Sequence, residues 1–235
     1  LKRSGSDQTV ALNSDVLVNI DLNQVFHLHN TTEQKVTVVY KKLPKELISD
    51  VNSILEIDES DKVLSHELFQ GGDKEAYNMS TDIFVVDTPF LIAKLEEEAA
   101  KEEPRKLRYV LRDLAVAENA FAYEYTGYLS NIHSVKAYFD ANLDMLESHK
   151  FYKLFAPNQK VYTKVKNEEP TYYSDSSEVK LSQFASGSIV RGKVENSVIS
   201  RNVDLSEGSS VSHSILFPRV KVAKGATVEY AIVDK

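Results

Sequence analysis

The 235-residue sequence contains no cysteine and no tryptophan. Without cysteine the chain cannot form disulfides or thiolate metal sites, and it has no cysteine nucleophile. It also lacks a continuous run of about 18 apolar residues, the length that a membrane-spanning helix needs, and residues 1–6 lack the apolar stretch of a signal peptide. These absences predict a cytoplasmic protein with no membrane partner.

Positive charge is in short supply as well. The chain has 28 Lys and Arg against 35 Asp and Glu, which gives a formal net charge of −7 at pH 7. Nucleic acids and anionic membranes bind surfaces rich in Lys and Arg, so neither is expected as the main partner. Apolar side chains are plentiful, at 42% of the sequence, which is enough to bury a core in each of two domains.

An internal repeat occupies residues 196–235. The segment 196–212 aligns with 213–229 at a period of seventeen residues, and a third copy begins at Tyr230. The two complete copies are identical at four aligned positions, Ser197/Ser214, Val203/Val220, Gly208/Gly225 and Val211/Val228. A repeat of this length is typical of a stacked architecture in which each copy is one structural unit.

Within each copy, single aliphatic residues recur about every six positions, which is the period of neither a helix nor an isolated strand. This spacing predicts short strands that each bury one aliphatic residue before the chain turns a corner, so that three strands complete one coil of a parallel β-helix. Gly208 and Gly225 suit corners with positive φ. A β-sandwich is the alternative, and the identities favour the repeat. Because one coil cannot bury its aliphatic side alone, the solenoid is expected to continue, or to be capped, beyond Lys235.

Strands alternate with helices in the preceding part of the chain. Apolar runs predict strands at 9–12, 35–40, 83–86 and 121–125, and a hairpin formed by 54–57 and 62–69. Thr88 and Pro89 are expected to begin a helix that ends before Pro104 and carries the acidic run 96–103 on a solvated face. Ser134 can cap a second helix, and Asp21 is either a helix cap or a functional acid.

The composition divides the chain into an α/β domain at 1–155, a polar linker at 156–178 and the solenoid at 179–235. The first domain starts almost directly on a core strand and has no glycine-rich turn between a strand and a helix that could bind phosphate. The phosphate-binding half therefore either lies upstream of Leu1 or is missing.

Three features together resemble one family. The strand that ends in Asn13–Asp15, the segment Gly127–Ser134 that leads into a helix, and the hexapeptide solenoid are similar to bacterial glucose-1-phosphate adenylyltransferase, also called ADP-glucose pyrophosphorylase. The resemblance covers essentially the whole chain. It implies a Rossmann-like nucleotidyltransferase domain, with its N-terminal part absent from this chain, followed by a left-handed parallel β-helix of hexapeptide repeats. The implied reaction joins ATP to glucose 1-phosphate with release of pyrophosphate, and it needs Mg²⁺ held by oxygen ligands.

The resemblance assigns the two Mg²⁺ ligands to particular positions. The family's Gly-Asp-His triplet is matched by Ser14-Asp15-Val16, which retains Asp15. The family's Gly-Tyr-Trp-x-Asp-Val-Gly-Thr motif is matched by Gly127–Ser134, in which Asn131 replaces the aspartate. An amide offers Mg²⁺ an oxygen but no negative charge, and electrostatics carries most of this type of catalysis. Mg²⁺ is therefore expected to bind poorly here, and no catalytic residue is assigned.

The sugar-phosphate pocket departs from the family pattern too. The family's Phe-Val-Glu-Lys-Pro stretch carries a lysine that binds glucose 1-phosphate, and the equivalent strand, Ser65–Gln70, has no lysine. Asn78–Asp82 stands where the family has a Ser-Met-Gly-Ile-Tyr type segment that lines the sugar pocket. Asn78 and Ser80 are the expected remnants of that pocket.

These losses resemble the family's second subunit type, a regulatory and catalytically deficient subunit in glycogen biosynthesis. Such a subunit is expected to assemble with a catalytic subunit, as a tetramer, or with itself. One alternative is an active adenylyltransferase that uses Asp15 and Asn131. A more remote one is a hexapeptide acyltransferase with His213 as base, although His213 shares its repeat position with Asn196 and Tyr230, which favours a corner role.

Overall fold

The computed structural model describes residues 1–156 and 160–235, which fall into two compact units, Leu1–His133 and Ser134–Lys235. The division differs from the one predicted at residue 155, because residues 134–156 pack within the second unit. There Gln183 Nε2 donates a hydrogen bond to Met145 O at 2.8 Å. Residues 157–159 of the predicted linker lie outside the described residues. In the part of the chain that the structure describes, no helix is both long and apolar enough to span a membrane.

The first unit is an α/β unit with a six-stranded mixed sheet. Its strands are β1 (Gln8–Ala11), β2 (Val16–Val18), β3 (Val36–Pro44), β4 (Ser53–Ile57), β5 (Val63–Leu68), β6 (Ala76–Asp87), β7 (Phe121–Glu124) and β8 (Leu129–Asn131). Its helices are α1 (Leu22–Thr31), α2 (Thr88–Ala99) and α3 (Leu107–Ala117), with a short 3₁₀ helix at Lys45–Leu47. The sheet order is β5-β4-β6-β3-β7, with β1 paired to β6, and only β3 and β7 run parallel. Strands β2 and β8 form a separate antiparallel ribbon.

Helices cover both faces of the main sheet, which explains why side chains on both faces of β3 and of the end of β6 are buried and mainly apolar. On one face, Val36 of β3 packs in a core cluster with Leu91 of α2 and Leu111 of α3. On the other face, Val39 packs with Val25 of α1. The alternating side chains of β3 therefore anchor two separate cores.

The predicted strands of this unit are confirmed, and the predicted strand at 83–86 is the end of the much longer β6. The pairing of β3 with β6 shifts abruptly, since Val39 faces Ile83 but Tyr40 faces Ser80. Thr81 and Asp82 are thus extra residues that form a β-bulge. Asp82 has a φ of 52°, in the left-handed region that favours glycine.

The helix predictions need two corrections. The N-cap of α2 is Asp87 rather than Thr88, whereas its end at Ala99 agrees with the predicted end before Pro104. Its acidic run is not wholly solvated, because Glu98 is buried and accepts hydrogen bonds from Arg105 and Lys101. Asp21 is a helix cap, since its carboxylate accepts a hydrogen bond from Asn23 N at 3.0 Å.

The second unit is a β-solenoid preceded by two helices. The helices are α4 (Val135–Asp144), capped by Ser134 as predicted, and α5 (Ser148–Leu154). The strands are β9 (Tyr172–Tyr173), β10 (Glu178–Lys180), β11 (Gln183–Phe184), β12 (Ile189–Val190), β13 (Lys193–Glu195), β14 (Val198–Ile199), β15 (Asp204–Leu205), β16 (Ser210–Ser212), β17 (Ile215–Leu216), β18 (Lys221–Val222), β19 (Thr227–Glu229) and β20 (Ile232–Val233). They stack as three parallel sheets of four strands each, so the solenoid has about four coils.

The seventeen-residue period is confirmed in the later coils, where Val211 pairs with Val228. The second coil is shorter, since Val179 pairs with Val194 only fifteen residues further on. The first coil already begins with β9, inside the segment predicted as linker. Its side chains are aromatic rather than aliphatic, and Tyr173 packs edge-on against Phe184 at a ring separation of 5.5 Å.

Candidate functional site

The β2–β8 ribbon brings together the two positions that match the family's metal ligands, the retained Asp15 and the degenerate Asn131. Val16 is paired with Asn131, and Ile132 N donates a hydrogen bond to Asp15 O at 2.7 Å. The loop that precedes β8 is also held in place, because Lys41 Nζ donates a hydrogen bond to Gly127 O at 2.8 Å. Asp15 and Asn131 are therefore neighbours in the fold although they are distant in sequence.

The amide of Asn131 is not available as a metal ligand. Its side chain is buried, and its Nδ2 donates to Asn52 Oδ1 at 2.7 Å and to Leu47 O at 3.3 Å. Its Oδ1 accepts a hydrogen bond from Asn52 Nδ2 at 3.2 Å. Both ends of the amide are thus engaged in contacts inside the unit.

Asp15 is partly exposed and lies beside a cation. Its carboxylate is 3.9 Å from the guanidinium of Arg108, which is also 3.8 Å from Asp82. Among the described residues, no three His, Asp or Glu side chains are grouped closely enough to hold a metal ion. Mg²⁺ prefers hard oxygen ligands, and of the two family ligand positions only Asp15 offers a charged one.

The predicted remnants of the sugar pocket lie on β6. Asn78 is half-buried and pairs with Lys42 of β3. Ser80 is buried, and its hydroxyl contacts Asp82 of the same strand. Ser80 Oγ accepts a hydrogen bond from Asp82 N at 3.2 Å and lies 3.4 Å from Asp82 Oδ1. The hydroxyl of Ser80 therefore stabilises the β-bulge.

A buried ion pair at this bulge was not expected from the sequence. Arg112 of α3 contacts the Asp82 carboxylate with two nitrogens, Nε at 3.1 Å and Nη2 at 2.6 Å. Bidentate arginine–carboxylate contacts of this kind require a specific geometry, and their charged hydrogen bonds are stronger than those between neutral groups. No local sequence motif predicts the pair, because Asp82 lies on a strand and Arg112 on a helix whose contact the sequence does not reveal.

His66 stands in the stretch where the family's lysine was expected. Its imidazole is buried, with Nε2 at 2.9 Å from Ser53 Oγ and at 3.9 Å from Asp82. Burial lowers the pKa of His66 to about 4, with the nearby Arg112 acting in the same direction and Asp82 opposing it. The imidazole is neutral at physiological pH and supplies no positive charge for a phosphate group.

His213 occupies a corner of the solenoid, as its repeat position predicted. Leu181, Asn196, His213 and Tyr230 stand at the same corner of successive coils, each with φ between 44° and 49°. The ring of His213 stacks on Tyr230 at 4.7 Å, and its Nε2 lies 3.1 Å from Asn196 Nδ2. These contacts give His213 a structural role at the corner.

The second unit belongs to a recognisable class of solenoid. Residues 167–235 match the family model described as GlmU-like, C-terminal hexapeptide. Together with the stacked three-strand coils, this match defines the unit as a hexapeptide β-solenoid.

The chain as a whole is similar to two kinds of curated protein. It is 25% identical to the glucose-1-phosphate adenylyltransferase of Bacillus mycoides (strain KBAB4) over 232 residues, which is 97% of this chain and 61% of that protein. It is 28% identical to the glycogen biosynthesis protein GlgD of Bacillus subtilis (strain 168) over 169 residues, which is 72% of this chain and 47% of that protein. The chain thus spans about three fifths of the length of the adenylyltransferases that it matches.

Proposed function

We propose that this chain is part of a regulatory, catalytically deficient subunit of ADP-glucose pyrophosphorylase, acting in glycogen biosynthesis. In this proposal the first unit is the C-terminal portion of a Rossmann-like nucleotidyltransferase domain, and the solenoid is a left-handed β-helix. Similarity to glucose-1-phosphate adenylyltransferases and to GlgD supports the family and the pathway. The absence of cysteine agrees with a cytoplasmic location.

One observation carries the proposed deficiency. Asn131, which stands where the family has its second metal carboxylate, is neutral, and both ends of its amide are engaged with Asn52 and Leu47. Charge stabilisation supplies most of the rate enhancement in phosphoryl-type transfer, so losing a metal carboxylate is costly. The neutral, buried His66 in place of the sugar-phosphate lysine points the same way.

We propose that the subunit exerts its function through assembly with a catalytic subunit, as a hetero-oligomer. A solenoid presents flat sheet faces and corner ladders that suit contact with other subunits. Nucleotide and sugar-phosphate ligands of the complex would then be turned over at the catalytic subunit's site.

Turnover by the isolated protein tests the deficiency. The full-length protein is assayed alone with ATP, glucose 1-phosphate and Mg²⁺, beside a catalytically competent relative under the same conditions. We expect a rate at least about a thousandfold below the relative, because a metal carboxylate and a phosphate-binding cation are both missing. A comparable rate would instead support the alternative, an active adenylyltransferase.

The variant Asn131→Asp separates simple loss of charge from wider remodelling. It restores the family carboxylate but leaves His66 where the lysine is expected, so we predict no recovery of turnover. Recovery to within about tenfold of the competent relative would show that the amide alone is responsible.

A further inference from the structure

Two buried side-chain amides face each other in the first unit, and we call Asn52 and Asn131 the amide clamp. They join segments far apart in sequence, since Asn52 directly precedes β4 and Asn131 ends β8. Each donates a hydrogen bond to the other, Asn131 Nδ2 to Asn52 Oδ1 at 2.7 Å and Asn52 Nδ2 to Asn131 Oδ1 at 3.2 Å. Fewer than a tenth of either residue's surface is exposed.

The contacts around the clamp are unequal. Asn52 Oδ1 also accepts hydrogen bonds from Ser49 N at 2.9 Å and Ser49 Oγ at 3.0 Å, so it has three donors around it. Asn131 Nδ2 faces two acceptors, Asn52 Oδ1 and Leu47 O. One residue is therefore placed mainly as an acceptor and the other mainly as a donor.

We propose that the amide clamp is a structural joint, and that Asn131 fastens the turn at residues 47–52 to β8 rather than serving as a degenerate metal ligand. The joint also fixes the backbone at Asp15, because the residue after Asn131 donates its amide hydrogen to Asp15 O. An unpaired buried amide costs more than the net gain of one hydrogen bond, so both partners must be present together. The joint rests on contacts within the first unit alone, and only its contrast with a metal site rests on the proposed function.

Hydrogen exchange in the full-length protein tests the joint locally. Asn131→Ala and Asn52→Ala are expected to accelerate exchange of the Ile132 amide by about ten- to a hundredfold, because each leaves buried groups unpaired. The double variant is expected to add little to either single change. Asn23→Ala is the control, since that amide is exposed on α1 and bonds only locally to Asp21, and it should change this exchange by less than about twofold.

Matched substitutions to aspartate make the test specific. Asn131→Asp removes a donor that faces two acceptors, while Asn52→Asp retains an oxygen for its three donors. The first change should therefore lower the Tm by about 4–8 °C and the second by clearly less, although the two amides are equally buried. Because both variants conserve shape, they remain informative if an alanine variant fails to fold.

Mn²⁺ alone serves as the probe for a metal site. We expect no change in Ile132 exchange or in Tm when Mn²⁺ is added to the wild type or to Asn131→Asp. The joint is refuted if Asn131→Ala leaves exchange unchanged, if the two aspartate variants rank in the opposite order, or if Mn²⁺ protects the wild type and this protection disappears in Asn131→Ala. Activity of the isolated protein would overturn the proposed function without changing these exchange readouts, so the two failures are distinguishable.

Discussion

Several buried polar side chains in the first unit have partners on other elements, although the buried Nδ1 of His66 has no hydrogen-bond partner among the described residues. Asp82 is held by Arg112, Asn131 by Asn52, and His66 by Ser53. The sequence could predict which positions depart from the family motifs, because that needs only a comparison of residue types. It could not predict that Asp82 meets Arg112 or that Asn131 meets Asn52, since these positions become neighbours only in the folded unit.

His66 has a predictable effect on the pH dependence of stability. Its pKa is lowered to about 4 by burial, while an unfolded histidine binds a proton below about pH 6.5. The unfolded state therefore binds more protons in this window. The stabilisation is complete above about pH 6.5 and is lost as the pH falls toward 4.

We predict that His66→Gln flattens this decline between about pH 6.5 and 4.5, whatever its effect on stability at neutral pH. Urea unfolding of the wild type and the variant across this range measures the slope. His27→Gln, at an exposed position on α1, should leave the slope as it is in the wild type. Equal slopes for the wild type and His66→Gln would contradict the assignment.

At the scale of elements, the sequence repeat predicted the solenoid well. Each short strand of a coil buries one aliphatic side chain, so the coil geometry appears in the sequence as a regular spacing of aliphatic residues. Corner positions were also predictable, as Gly208 and Gly225 both have positive φ. The first strand of the solenoid, β9, was missed because it carries Tyr172 and Tyr173 instead of aliphatic residues. Helix α3 was not predicted, and its place in the fold depends on tertiary contacts such as that of Arg112 with Asp82.

The shortened second coil makes a particular demand at Gly192. A Cβ atom at this position would lie 2.4 Å from Ser209 O and 2.3 Å from Ser209 Oγ, in the next coil. Ser209 O is itself fixed, because it accepts the Lys193 amide hydrogen at 2.9 Å. The close approach of the two coils therefore leaves no room for a side chain at position 192.

Gly192→Ala is expected to destabilise the solenoid by about 1–3 kcal/mol, since the backbone of the adjoining coil must move. Urea denaturation followed by circular dichroism measures this loss. Lys193→Ala is the control at the neighbouring exposed position, with an expected change below about 0.5 kcal/mol. A Gly192→Ala protein as stable as the wild type would show that the corner has room that the structure does not give it.

At the scale of the molecule, the two units differ in how well their chemistry can be inferred. The solenoid has regular coils and corner ladders whose role is structural. The first unit retains Asp15, but the side chains of Asn131 and Ser80, two of the other expected site positions, are engaged in internal contacts. This contrast supports the proposal that the protein acts through assembly rather than through its own catalysis.

The most direct test of that claim is the activation curve of a catalytic adenylyltransferase from the same organism, measured with and without the full-length protein after co-expression and purification. We predict that the two proteins purify as one oligomer, and that the complex responds to a sugar-phosphate effector at a concentration shifted at least about threefold from that of the catalytic subunit alone. Separate elution of the two proteins with superimposable activation curves would contradict the account.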